Sequence, residues 1–359
     1  MKNNNKIFIF SVLFFLLTTM QLAVAEEIAL KPDHPQRYVV QKGDTLWDIS
    51  GRFLQQPWYW PEIWQDNPQI KNPHLIYPGD VLALVYIDGK PYVTIDSRGK
   101  RTVKLSPETR FEDLDTAIPT IPLDIIHPFL TGNRVLPRDA LRNAPYIVGI
   151  SDNHVSAGAD NSIYVKGIEN DTKYNLYAVY EPGTIYKNPA SPREILGYEA
   201  VYLGEGVVDH RGHPSVIYLQ KSRAEIVVGD YILPVDADRT FDANFLPKPS
   251  TAARPGSIIS VMTNAVDTGV NMVGAMDVVV IDLGLDDGVE VGDVFNIYQR
   301  GRVVSDPHKR NNKIKLPDVK AGNMLVFRPF ERVSYAIVMD AQKSLKIGDV
   351  VRTPYQQAQ

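Results

Sequence analysis

The sequence predicts an α+β chain: a small βααβ module near the N-terminus, followed by mostly-β domains of the small-barrel or sandwich kind. Three observations carry that prediction. Apolar residues at helical spacing are concentrated between residues 45 and 66. Beyond residue 137, short apolar runs alternate with Gly, Pro, Asn and Asp, which is strand and turn chemistry. A short apolar-Gly-Asp-apolar-apolar pattern recurs along the chain. The 359 residues exceed what one core organises, and 44% apolar with 22% charged residues is ordinary globular composition.

Residues 1–25 read as an address. Lys2 and Lys6 precede an apolar run over residues 7–17, and Ala23-Val24-Ala25 is a small-residue cleavage pattern, so a cleaved secretory signal ending at Ala25 is expected. The run of 11 is short of the roughly 18–20 residues a membrane span needs, so no membrane insertion is expected after cleavage. The chain has no cysteine, which excludes a disulfide framework, a thiolate metal site, a cysteine nucleophile and a lipidated cysteine. Loss of the two signal lysines takes the formal charge from −4 to −6, which argues against nucleic acid as a partner.

The module occupies residues 37–87. Tyr38-Val39-Val40 is a strand and Lys42-Gly43-Asp44-Thr45 a turn into a helix, with Asp44 or Thr45 as candidate cap. Leu46, Ile49 and Phe53 share one helical face, and Pro57 stops that helix. A second helix is expected over residues 59–66, then loops at Asn67-Pro68 and Asn72-Pro73-His74, a Pro78-Gly79-Asp80 turn and a strand over 81–85.

The opening Y-V-V-Q-K-G-D-T-L-W-D-I-S and the closing N-P-x-L-I-Y-P-G-D-V-L, in that order and separation, resemble the LysM domain, the small wall-binding module of bacteria and plants. An aromatic insert, Pro57-Trp58-Tyr59-Trp60-Pro61, departs from compact LysM modules. All four tryptophans (Trp47, Trp58, Trp60, Trp64) lie in the module, where a core of this size needs large aromatics. The resemblance implies binding of glycans that contain N-acetylglucosamine: peptidoglycan, with chitin as a second candidate. It places the sugar in a shallow groove. One wall is Gly43, Asp44, Thr45 and Leu46; the other is Asn72, Pro73, His74, Leu75 and Ile76. Backbone amides and carbonyls there would pair with the N-acetyl group, while Leu46 and Ile76 would offer apolar surface. Four basic against five acidic residues over 37–86 fit a neutral sugar better than a polyanion. Stretches 131–137, 143–149 and 326–336 are similar to segments of secreted proteobacterial proteins with one N-terminal LysM module and a long β-rich region.

Residues 88–136 read as a hairpin and a proline-rich connector. The hairpin pairs residues 92–95 with 102–105, and Ile125, Ile126, Phe129 and Leu130 form an apolar cluster. Short helices are expected over residues 123–130 and 138–143. A β-rich domain follows over 137–240, with strands near 146–150, 162–165, 174–179, 199–203, 215–219 and 225–228. A second spans 254–355, with strands near 257–262, 277–283, 294–298, 324–327, 334–339 and 350–352. Gly229-Asp230, Gly292-Asp293 and Gly348-Asp349 repeat the device of Gly79-Asp80, and spacings of 63 and 56 residues fit strand-entry turns, not a solenoid.

No catalytic constellation, cofactor motif or metal-ligand set emerges, so the chain reads as non-enzymatic. His210 and His213 fit a polar hairpin loop better than a metal site, and Ser97-Arg98-Gly99-Lys100 lacks the partner motifs of an S-x-x-K enzyme. The expectation is a periplasmic protein that binds peptidoglycan glycan strands and holds a β-rich region at the wall. A wall-modifying hydrolase, and a scaffold that meets envelope proteins through the β region, are the alternatives.

Overall fold

The computed structural model describes residues 28–64, 76–97, 118–121, 125–126, 129, 132–169, 173–235, 246–262, 272–309 and 312–355. The signal segment, Asn72 to Leu75 and the 102–105 strand lie outside them.

The module opens with β1 (Arg37–Val39), then α1 (Leu46–Phe53), a 3₁₀ turn (Pro57–Tyr59) and α2 (Trp60–Trp64). It closes with β2 (Val81–Ile87) and a further strand, β3 (Lys90–Ser97). The sheet order is β1-β2-β3, antiparallel throughout. The 102–105 half of the expected hairpin lies outside the described residues, and a hairpin turns at Asp88-Gly89. Both residues there have positive φ (50° and 80°), as the two-residue turn that matches strand twist requires. Residues 92–95 pair backward with β2, giving the module a third strand.

Two closed barrels follow. The first uses β4 (Arg134–Leu136), β5 (Tyr146–Ile150), β6 (Ser162–Lys166), β7 (Leu176–Asn188), β8 (Ser191–His210), β9 (Ser215–Ser222) and β10 (Tyr231–Pro234), with a short helix α3 (Arg138–Arg142) after β4. The ring runs β8-β7-β10-β5-β6-β9 and closes through β8–β9, with β4 added outside on β8. The second uses β11 (Lys248–Pro249), β12 (Gly256–Met262), β13 (Met272–Val273), β14 (Val278–Ile281), β15 (Asp293–Gln299), β16 (Val303–Ser305), β17 (Lys313–Lys315), β18 (Val319–Pro329), β19 (Ser334–Ala341), β20 (Leu345–Lys346) and β21 (Val350–Arg352). Its ring runs β15-β18-β19-β14-β12-β21 and closes through β15–β21. The fold is thus α+β, with barrels where sandwiches were the alternative. Closure leaves no unpaired edge around either ring.

Residues 225–228, expected as a strand, instead approach a Gly-Asp turn, and the strand (β10) comes after it. The turn has one construction. Gly79, Gly229, Gly292 and Gly348 sit at φ between 90° and 102°. The following aspartate accepts the N–H three residues back, from Tyr77, Val227, Glu290 and Lys346, at 2.8–3.1 Å. That carboxylate supplies a local acceptor that closes the turn. Two further turns build the same shape without the dipeptide: Met276-Asp277 bonds Gly274 N–H at 2.8 Å, and Asp160-Asn161 bonds Gly158 N–H at 2.9 Å. His210 and His213 lie at the β8–β9 connection, as the hairpin reading had it.

The strands of the second barrel explain how the module is held. Val279, Ile281, Met324, Val326, Ala336 and Val338 fill the barrel, while Val278, Val280, Leu325, Phe327, Tyr335 and Ile337 point out of it into the cluster containing the module core. Strands buried on both faces read as unbroken apolar runs, and Val278-Val279-Val280-Ile281 and Met324-Leu325-Val326-Phe327 are such runs. The outer end of the β7–β8 hairpin joins them through Tyr186 and Leu196. Arg332 adds an ion pair with Glu194 of that hairpin and a bond to the Ile195 carbonyl at 3.3 Å.

Candidate functional site

The first groove wall begins with a turn of the kind just described. Asp44 accepts the Gln41 N–H at 2.8 Å, with Gly43 at φ 96°. It also accepts the Tyr38 hydroxyl at 2.8 Å, and Arg52 lies over the Tyr38 ring at 4.7 Å. Burial, then the Asp44 carboxylate, raises the Tyr38 pKa. Asp44 is occupied in shaping the loop, and Thr45 is the cap of α1. Its hydroxyl accepts the Asp48 N–H at 3.1 Å, while Asp48 accepts the Thr45 N–H at 3.3 Å, a complete capping box.

Capping leaves the two leading amides of α1, Leu46 and Trp47, in need of acceptors. They find them in the connector. Leu46 N–H donates to the Pro119 carbonyl at 2.9 Å and Trp47 N–H to the Thr120 carbonyl at 3.2 Å. On the opposite wall, the Ile76 carbonyl accepts the Ile118 N–H at 2.8 Å. Residues 118–121 thus lie across the groove as a strap, with Ile118, Thr120 and Ile121 buried.

With the strap seated, the expected apolar surface is covered: Leu46 and Ile76 are each 0% exposed, in the same core cluster as Ile118 and Ile121. Of the nine groove residues, the structure brings Leu46 and Ile76 together through the strap. Thr45 is buried as a cap, Gly43 is exposed and Asp44 half-buried. Asn72, Pro73, His74 and Leu75 lie outside the described residues. The strap itself was not among the expected site residues. Its signal is Ile118-Pro119-Thr120-Ile121-Pro122, in which two isoleucines each precede a proline and are biased to extended backbone.

The aromatic insert faces away from solvent. Trp58 and Trp60 are at most 2% exposed. Trp58 stacks near Trp47 and Tyr59, with ring centroids 6.3 and 6.1 Å apart, and Lys320 of β18 places its ammonium 6.0 Å from the Trp58 ring. Burial lowers the Lys320 pKa. The 3₁₀ turn also touches β11. The insert therefore docks the module onto the second barrel. Arg328, also on β18, holds the chain beyond the strap: its Nη1 donates to the carbonyls of Phe129 and Asn133, each at 2.7 Å.

Comparison with known proteins agrees with this geometry. The LysM domain model matches residues 38–84. The uncharacterized protein YqbP of Bacillus subtilis (strain 168) is 38% identical over 60 residues, covering 14% of this chain and 27% of the relative, so the chain spans about a quarter of that protein's length. A LysM domain points to binding of peptidoglycan and other N-acetylglucosamine glycans. The capped first helix and the closing strand come together in one module: residues 38–84 are a LysM domain, near the N-terminus of a chain whose long remainder is β-rich.

Proposed function

We propose that the chain is a non-catalytic peptidoglycan-binding protein of the periplasm, exported by residues 1–25, whose LysM domain fixes the two barrels at the wall. The observation that carries this reading is the LysM match over residues 38–84, with two helix amides and a carbonyl facing each other across its groove. Two donors opposite one acceptor are what a secondary amide needs, and the acetamido group of N-acetylglucosamine is one. Among the described residues the groove offers backbone amides and a carbonyl, which is chemistry suited to a neutral sugar.

The test is incubation of the chain, without residues 1–25, with purified sacculi. The protein is expected to pellet with the sacculi and to release no soluble muropeptides. Muropeptide release would establish a hydrolase, and a protein left in the supernatant would remove glycan binding.

A further inference from the structure

We infer that the strap, residues 118–121, is an internal ligand of the LysM groove, and that glycan and strap compete for the same backbone atoms. The inference rests on the glycan reading above and adds its control. Three contacts define the competition: the Leu46 and Trp47 amides on the Pro119 and Thr120 carbonyls, and the Ile118 amide on the Ile76 carbonyl. A peptide presents the groove with the same donor and acceptor groups as an acetamido sugar, so neither can bind while the other holds those atoms.

The strap is seated by apolar burial at Ile118 and Ile121, yet its seat has a flaw. The Thr120 hydroxyl is buried, 1% exposed, with no hydrogen-bond partner among the described residues. An unpaired buried hydroxyl is costly, so the closed arrangement is held less tightly than its shape allows. Being part of the chain, the strap competes at an effective concentration that a free ligand must overcome. The apparent affinity for glycan is lowered by the fraction of molecules whose groove is closed. The arrangement favours dense, multivalent glycan over stray fragments. Arg328 keeps the segment beyond the strap on the second barrel, so a released strap stays near its seat.

The test is titration of three full-length proteins with the N-acetylglucosamine tetramer, read by calorimetry: the natural chain, Ile118→Asp with Ile121→Asp, and Thr120→Val. The double variant puts charge where burial is complete and should open the strap, tightening binding about tenfold. Thr120→Val removes the unpaired hydroxyl at constant shape and should weaken binding about fivefold. Equal affinity in all three would overturn the strap as competitor and leave glycan binding standing. Weaker binding by a folded double variant would make the strap part of the sugar site and also overturn the inference. Should the double variant fail to fold, Thr120→Val decides alone: weaker binding supports competition, and unchanged or tighter binding overturns it. Absence of binding by all three, with native circular dichroism, would overturn the glycan reading itself.

Discussion

Trp58→Ala is expected to lower the unfolding free energy of the full chain by about 3–5 kcal/mol, the range for removing a buried large aromatic. Trp58 is 2% exposed and lies between two packed bodies. Trp47 and Tyr59 flank it within the module, and Lys320 reaches it from the second barrel. The cavity left by alanine opens at the seam, so part of the loss should appear as lost cooperation between module and barrel. Urea denaturation followed by tryptophan fluorescence and by far-ultraviolet circular dichroism reads both effects. In the natural chain the two signals should change together. In the variant, the fluorescence, whose three remaining tryptophans all lie in the module, should change at lower urea than the dichroism. A loss under about 1 kcal/mol with coincident transitions would mean that the insert does not dock the module.

Arg328→Met is expected to cost about 2–4 kcal/mol. The guanidinium is largely buried and donates to two carbonyls, those of Phe129 and Asn133. Methionine fills much of the stem's space while leaving both carbonyls without that donor, and each unpaired buried group costs about 1–3 kcal/mol. The loss should be local as well as global, because Arg328 is what clips the connector to β18. Limited proteolysis should therefore cut the variant between residues 122 and 134 before it cuts either barrel. Arg328→Lys should recover only part of the loss, since the shorter side chain carries its strongly hydrated ammonium short of the position of Nη1. An unchanged urea midpoint in Arg328→Met would show that the connector is held by its apolar residues alone.

The parts that were legible in the sequence share a reason. The Gly-Asp turns are legible because one local geometry demands a residue tolerant of positive φ followed by a short acceptor. The turns at Met276-Asp277 and Asp160-Asn161 are not, because tertiary context holds a non-glycine residue in that conformation. Barrel strands such as 146–150 and 350–352 follow directly from β-branched runs between turns. The unbroken apolar runs at 278–281 and 324–327 also announce a second covered face, although nothing local names the module as its cover. Asp88-Gly89 carries the strongest short hairpin signal, and it turns residues 92–95 back onto β2.

The candidate site divides along the same line. The Thr45 cap, with an acidic residue three positions on, is a sequence signature. The strap's seat is not, because its three hydrogen bonds to the groove are backbone to backbone; the strap's two Ile-Pro pairs mark an extended segment without naming what it lies on. Its partners Leu46 and Trp47 are more than 70 residues away in the chain. Apolar Leu46 and Ile76 are equally suited to a sugar face and to a core, and only the position of residues 118–121 decides between them.

Hydrogen exchange of individual amides in the full chain, with and without saturating N-acetylglucosamine tetramer, tests the central claim most directly. In the free protein the amides of Leu46, Trp47 and Ile118 should all be protected. With the sugar bound, Leu46 and Trp47 should stay protected by their new acceptor, while Ile118, displaced from the Ile76 carbonyl, should exchange at least tenfold faster. Protection of all three amides unchanged by a sugar that binds would contradict the account, because the glycan would then sit elsewhere and the groove would belong to the strap alone.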